Sequence, residues 1–223
     1  MQGYKDTNMQ VLAVLAQKGG VGKSMLARSL AVQGLMDDLK TAVLDADPQG
    51  TVVAWSRRRK LSAPAVVPLG SQTIAEALRE LGARGADLVV IDTPPHSQPI
   101  ISLAAAAADA AILVTGPFPE DLEQVGIAAE IVRGLGKPAG IVLNKTPPKS
   151  HALTLARSAL ATFQLPICPT ALVQLLSHPY ASAEGLSAQE REPGSKAAAE
   201  IAEVWGWIKD SILVSLRAKM LAS

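Results

Sequence analysis

Short hydrophobic runs alternate with longer amphipathic or alanine-rich segments along the chain. The runs with strand character are MQVLAVLA, TAVLDAD, AVVPLG, ADLVVIDTPP, ADAAILVTGP, AGIVLNK and LPICPTAL. Several are apolar at every position rather than at every second one, which is typical of strands buried on both faces of a sheet. The pattern therefore predicts an α/β fold, a mostly parallel twisted sheet flanked by helices on both faces.

The segments between these runs predict the helices. They cover residues 24–36, a stretch through Trp55, 73–81, the alanine-rich LAAAAADAA, 120–135, 151–163 and a final helix reaching residue 219. The connecting stretches PPKS and REPGSK are typical of loops, and the chain contains no internal repeat. We therefore expect a single domain over residues 1–223, in which residues 1–8 form a flexible tail.

Composition and charge narrow the possible functions. A chain of 223 residues with 48% hydrophobic content can bury the core of one α/β domain. The net charge of +1 gives no strong attraction to polyanions, so any nucleic-acid contact needs a local patch. One cysteine, Cys168, excludes an internal disulfide and fits a reducing cytosol. No segment predicts a secretory signal or a membrane span, so we expect a cytoplasmic protein.

The segment QKGGVGKSM, residues 17–25, lies between an apolar strand and a helix, where a phosphate-binding loop is expected. Its glycines let the backbone N–H groups turn towards phosphate oxygens at a helix N-terminus. Lys23 would neutralise the β- and γ-phosphates, and the Ser24 hydroxyl would ligate Mg²⁺. The leading glycine of the G-x-x-x-x-G-K-[ST] pattern is replaced by Gln17, and Lys18 adds a second cation. The predicted nucleotide contacts are Lys18, Gly19, Gly20, Val21, Gly22, Lys23, Ser24 and Met25.

Two aspartate motifs follow at the ends of predicted strands. LVVIDTPP ends in Asp92, whose carboxylate would hold Mg²⁺, and VLDADPQG ends in Asp45 and Asp47. A carboxylate after a strand also commonly caps a helix or shapes a turn. Proximity to the phosphate loop favours the metal role for Asp92, whereas a metal-network role and a structural role both stay open for Asp45.

Taken together, these motifs resemble the ParA/MinD family of deviant Walker A ATPases. KGGVGKS is similar to the deviant Walker A motif, DADPQG to switch I, and DTPP to the Walker B and switch II region. The resemblance covers nearly the whole chain and is strongest to the small plasmid-partition proteins of the ParF type. It therefore implies no separate N-terminal operator-binding domain, such as the large ParA proteins have. It implies a P-loop NTPase fold, ATP and Mg²⁺ as cofactors, and slow hydrolysis stimulated by a partner. In VLNK, it implies that Asn144 contacts adenine.

The resemblance also implies roles for individual residues. Lys18 corresponds to the lysine that reaches across an ATP-sandwiched homodimer to the phosphates held by the partner subunit. We therefore predict Lys18, Lys23 and Asp47 as catalytic residues, with Asp47 orienting or deprotonating the attacking water. The predicted metal set is Ser24, Asp47 and Asp92. The implied partners are a ParB-like centromere-binding protein or another cargo adaptor, and nucleoid DNA bound without sequence preference.

Several functions fit this resemblance. Our first interpretation is a partition ATPase that segregates or positions plasmid or chromosomal DNA. The alternatives are a ParA-like positioning factor for a protein cargo and a MinD-like membrane-associated regulator. Leu175 and Tyr180 stand where the resemblance implies basic residues, which leaves the basic run at residues 57–60 as either a DNA-contacting patch or a solvated helix end. The apolar stripe of the last helix, through Trp205, favours docking on the sheet over membrane binding.

Overall fold

A single six-stranded sheet organises the computed structural model, which describes residues 9–148 and 151–213. The strand order is β3-β2-β4-β1-β5-β6, and every adjacent pair is parallel. The strands are β1 (Gln10–Leu15), β2 (Thr41–Asp45), β3 (Ala65–Pro68), β4 (Leu88–Asp92), β5 (Ala110–Thr115) and β6 (Ala139–Leu143). All except β3 are almost wholly buried, as their uninterrupted apolar runs predict.

Helices cover both faces of this sheet. They are α1 (Lys23–Met36), α2 (Thr51–Arg58), α3 (Ile74–Ala83), α4 (Gln98–Ala107), α5 (Pro119–Leu122), α6 (Val125–Gly134), α7 (Ala152–Leu160), α8 (Ser177–Ala183), α9 (Ala188–Arg191) and α10 (Lys196–Ser211). One hydrophobic cluster lies between the sheet and α3, α4, α6 and α7. A second cluster lies on the opposite face, against α1, α2 and α10. The predicted fold class is therefore confirmed.

The strand register brings the acidic motifs to one edge of the sheet. Asp45, the last residue of β2, is paired with Asp92, the last residue of β4. The next strand in the sheet, β1, leads into the glycine-rich loop and then into α1. Because parallel strands end at the same edge, motifs far apart in sequence meet there, at the usual ligand-binding edge of such folds.

Two predicted elements differ from the structure. LPICPTAL forms no strand, because its prolines lack the N–H groups that a ladder requires. It makes the isolated bridge Ile141↔Ile167, and the next residue, Val173, makes another with Thr146. The helix predicted over 120–135 is divided into α5 and α6. The Thr115 hydroxyl donates to the carbonyl oxygen of Asp121 at 3.0 Å. In a continuous helix, that carbonyl oxygen would instead accept from the Val125 N–H.

The C-terminal part contains two short helices, α8 and α9, that the hydrophobic pattern did not predict. In α10, Trp205 and Ile208 are buried against the sheet, and Ile212, just beyond the helix, is buried too, as the docking interpretation predicts. The predicted extension of this helix to residue 219 and the predicted tail at residues 1–8 lie outside the described residues. Within residues 9–148 and 151–213, no helix combines the length and apolar character needed to cross a bilayer.

Candidate nucleotide-binding site

A cavity of about 690 Å³ opens at the edge where the strands end. One wall is the glycine-rich loop, which contributes Gly19, Gly20, Gly22, Lys23, Ser24 and Met25. Asp47 from the loop after β2 and Asn144 from the end of β6 also line it. The structure therefore brings most of the predicted site residues to one cavity at the N-terminus of a 14-residue helix, a position that favours phosphate.

Gly22 and Asn144 hold the loop in shape. Gly22 has φ 98°, a conformation that favours glycine, and a Cβ placed on it would lie 2.1 Å from Asn144 Nδ2. That amide donates to the carbonyl oxygen of Val21 at 2.7 Å, and Asn144 Oδ1 accepts from the Lys145 N–H at 2.8 Å. In this structure Asn144 thus stabilises the conformation of the phosphate loop, and its contact with adenine stays a prediction.

Lys23 is almost completely buried beneath the loop. Its ammonium donates to the carbonyl oxygen of Lys18 at 3.3 Å. Burial lowers the pKa of Lys23, and the negative charges of Asp92 and Asp47 partly oppose that shift. A buried cation with one long hydrogen bond leaves donors available for phosphate oxygens.

Asp92 is fully buried at the end of β4. Burial raises its pKa to about 7, and the side chain of Ser24 and the charge of Lys23 partly offset this effect. Although Ser24 is close enough to stabilise the charge, no hydrogen bond of good geometry reaches either carboxylate oxygen from the described residues. A cation would satisfy those oxygens. One carboxylate fits Mg²⁺, since this ion is usually held by one or two carboxylates together with substrate phosphates.

The structure separates the two aspartates of DADPQG. Asp45 Oδ2 accepts from the N–H groups of Val52 and Val53 at 3.0 and 2.9 Å, at the start of α2, and Oδ1 accepts from Asp47 N at 3.2 Å. Asp45 therefore stabilises the start of α2 and the loop before it. Asp47 is half-buried and lines the cavity, with Oδ1 accepting from the Gln49 N–H at 2.9 Å. Of the two carboxylates, Asp47 is the one placed to act on a ligand.

Lys18 points away from this cavity. Its ammonium lies 2.7 Å from Asp121 Oδ1 in α5, and its side chain is 39% exposed. The hydrogen bond to Asp121 raises the pKa of Lys18, and the negative charge of Glu120 contributes in the same direction. Lys18 is absent from the residues that line the nucleotide cavity, so within one chain it does not reach a nucleotide held there.

The sequence interpretation missed Arg28 in α1 and His178 in α8 as cavity residues, and it considered Arg58, at the end of α2, only within the basic run at residues 57–60. Arg28 follows Ser24 by four residues and so lies on the same face of α1. The only signal in the sequence was a charged residue within the otherwise apolar run SMLARSLAV. His178 gave no signal, because α8 itself was not predicted.

The basic run at residues 57–60 does not form one exposed patch. The side chain of Arg59 is 2% exposed and forms an ion pair with Glu190. Its guanidinium also donates to the carbonyl oxygens of Ala63 and Gly185. Gly185 permits this approach, because its φ is 73° and a Cβ there would lie 2.4 Å from Arg59 N. Within this run, the side chain of Arg59 is therefore buried, and Arg58 lies at the rim of the cavity.

Comparison with known proteins places the fold and site in a family. Residues 12–175 match the CobQ/CobB/MinD/ParA nucleotide binding domain, and this segment contains every predicted metal and catalytic residue. The chain belongs to this family. A relative from Gloeobacter kilaueensis, "Maintenance of carboxysome distribution protein A", is 33% identical over 194 residues, covering 83% of this chain and 86% of the relative.

Similar solved structures support the fold. The septum site-determining protein MinD of Pyrococcus horikoshii, complexed with Mg-ADP, has a TM-score of 0.69 and 18% identity, with 90% of this chain and 96% of that chain covered. A Cyanothece McdA variant in complex with ATP has a TM-score of 0.70 and 16% identity, with 92% and 96% covered. ATP and Mg²⁺ are the cofactors consistent with the family, and the glycine cradle and the unsatisfied Asp92 fit them.

Proposed function

We propose that this chain is an ATP-driven positioning protein that distributes a protein assembly of the carboxysome class through an adaptor protein. The observation that carries the proposal is the 33% identity to a carboxysome distribution protein over most of both chains. The complete phosphate loop supports the ATP-dependent part. This proposal adopts the protein-cargo alternative of the sequence interpretation in place of plasmid partition.

Several side chains at or beside the cavity have a part in holding the nucleotide. Bound ATP and Mg²⁺ supply the phosphoryl bond that is hydrolysed and the charge that neutralises its oxygens. Lys23 binds phosphate oxygens of the chain's own nucleotide, and the loop N–H groups between Gly19 and Ser24 surround them. Ser24 and Asp92 would hold the metal, which would satisfy the carboxylate oxygens of Asp92 that have no hydrogen-bond partner.

Asp47 and Lys18 control turnover in this proposal. Asp47 lines the cavity and orients or deprotonates the attacking water. Lys18 leaves Asp121 and reaches the phosphates bound by a second copy of the chain, as an arginine finger acts across an interface. Lys18 would in this way link two chains only while the γ-phosphate is present, which would make the protein a timed switch.

Partition of DNA in the ParF manner, and retention on the nucleoid, remain the competing proposals. The burial of Arg59 and the absence of basic residues at Leu175 and Tyr180 weaken the case for an extended DNA-binding face. Of the basic run, Arg57 and Lys60 are exposed and lie outside the nucleotide cavity, so they are the positions available for phosphate contacts.

Deletion of the gene in the source cell, with imaging of protein assemblies and measurement of plasmid retention in the same strain, tests this function. We expect shell-bound or otherwise large protein assemblies to cluster, while plasmids are retained without selection as in the parent. Reintroducing the wild-type chain should restore even spacing, and reintroducing Asp47→Ala should not. Plasmid loss with normally spaced assemblies would contradict the proposal and favour partition.

A further inference from the structure

Arg28 is a buried cation that no described residue neutralises. The residue is only 6% exposed, and its Nε has no hydrogen-bond partner. Its guanidinium makes no ion pair with the described residues, and its one specific contact is with the face of Trp55, 5.8 Å from the ring centroid. Burial and the charge of Arg58 lower the pKa of Arg28 to about 10, and the negative charge of Asp92 partly opposes this shift. A buried charge without a partner lowers the stability of the folded chain, unless a bound ligand supplies the opposite charge.

A second unsatisfied group faces the same cavity from a different helix. His178 in α8 is 8% exposed, and its Nε2 has no partner. Burial and the charge of Arg28 lower the pKa of His178, which favours the neutral ring. Arg58 completes this side of the cavity, where its Nε donates to the carbonyl oxygen of Ser182 at 3.1 Å and its remaining N–H groups stay available. Arg28, Arg58 and His178 therefore line the same cavity, and among the described residues neither arginine forms an ion pair.

The direction of α1 indicates which part of a ligand this wall contacts. Helical side chains project towards the helix N-terminus, so Arg28 extends along α1 towards Ser24 and the phosphate loop. The loop and Lys23 already provide for the β- and γ-phosphates. Arg28, Arg58 and His178 line the same cavity as this loop, together with Asn144 and Val173.

We infer that Arg28, Arg58 and His178 bind the α-phosphate and the adjoining ribose, the portion that ATP and ADP share. The inference deepens the proposed function and rests on the nucleotide cavity that the function requires. Arg28 and Arg58 supply charge-assisted hydrogen bonds to phosphate oxygens, and His178 hydrogen-bonds a ribose hydroxyl. The cluster gives affinity that persists after hydrolysis, so it slows ADP release and does not distinguish ATP from ADP.

Calorimetric titration of Mg-ATP and Mg-ADP into Arg28→Met tests this inference. We expect roughly 10- to 100-fold weaker binding of both nucleotides, the loss typical of one or more hydrogen bonds to a charged group. Arg28→Lys should restore part of the affinity. Arg79→Met removes an exposed arginine outside the cavity and is the matched control, with unchanged affinity. A loss confined to ATP would overturn the inference, because it would place the contact at the γ-phosphate.

Thermal unfolding without nucleotide separates this role from a purely structural one. Since Arg28 is an unpaired buried charge, Arg28→Met should unfold at the wild-type temperature or above it. A lower unfolding temperature with unchanged nucleotide affinity would make Arg28 a structural partner of Trp55 and overturn the inference. If Arg28→Met does not fold, Arg58→Gln at the exposed rim of the cavity provides the test. Weaker binding of both nucleotides by this variant would support the inference, and wild-type affinity would contradict it. Failure of the wild-type chain to bind either nucleotide would instead remove the proposed function.

Discussion

Two arginines contact the same tryptophan, and they have opposite environments. The guanidinium of Arg59 lies 4.9 Å from the centroid of Trp55, and that of Arg28 lies 5.8 Å from it. Arg59 is paired with Glu190 and donates to two carbonyl oxygens, whereas Arg28 has no hydrogen bond or ion pair among the described residues. A buried charge needs a partner. Arg59 finds its partner within the chain, and a bound ligand provides the partner of Arg28.

The same contrast separates whole regions of the molecule. Around Arg59, the Trp55 indole N–H donates to the Leu186 carbonyl oxygen at 3.0 Å, so α2 is fastened to the segment between α8 and α9. Around the phosphate loop, Asp92, Arg28 and His178 each retain unsatisfied polar atoms. The satisfied region should therefore govern stability, and the unsatisfied region should govern binding and hydrolysis.

The largest expected effect is on catalysis, from Asp47→Ala. The Asp47 carboxylate lines the cavity, and the hydrogen bond that it accepts from the Gln49 N–H lies within its own turn. Its removal should therefore lower the hydrolysis rate by about 10²–10⁴ while ATP binding persists. Phosphate release at saturating Mg-ATP measures the rate. Asp45→Ala is the contrasting variant, since loss of the α2 cap should lower the unfolding temperature. Wild-type turnover in Asp47→Ala would move the catalytic role to another residue.

The next effect is on stability, from Arg59→Ala. Removing one partner of a largely buried ion pair leaves Glu190 uncompensated, so we expect about 3–5 kcal/mol lower free energy of unfolding. Urea unfolding measures this loss. Nucleotide affinity in the folded variant should stay near the wild-type value. A large loss of affinity at unchanged stability would break the contrast between the two arginines.

The same residues show which parts of the fold and of the site could be predicted from the sequence. Lys23, Ser24 and Asp92 were predictable, because a phosphate loop is local in sequence and the strand ends of a parallel sheet meet at one edge. Arg59 and Glu190 are 131 positions apart, and no local pattern joins them. Arg28 interrupts an apolar helix and was indistinguishable from a solvated position. The wall formed by α8 depends on tertiary packing that its short, mixed sequence does not reveal.

The smallest expected effect concerns DNA. Arg59 is buried and Arg58 lines the cavity, so the double change Arg57→Ala with Lys60→Ala is the clean test of a phosphate-contacting patch. If the ATP-bound protein binds DNA, we expect a modest loss for all sequences and a salt slope reduced by about 0.9 for each phosphate contact removed. Gel shifts with ATP, ADP and no nucleotide measure it. Absence of any shift for the wild-type chain with ATP would exclude DNA as its track.

Light scattering on the Asp47→Ala background tests the central claim, that the nucleotide cavity and Lys18 together create an ATP-dependent dimer. With Mg-ATP we expect a mass of about twice the 23.2 kDa of one chain, and with Mg-ADP or no nucleotide the mass of one chain. Adding Lys18→Ala should return the ATP sample to the mass of one chain, although titration still detects bound nucleotide. A mass that is independent of nucleotide, or an ATP-dependent dimer without Lys18, would contradict the account.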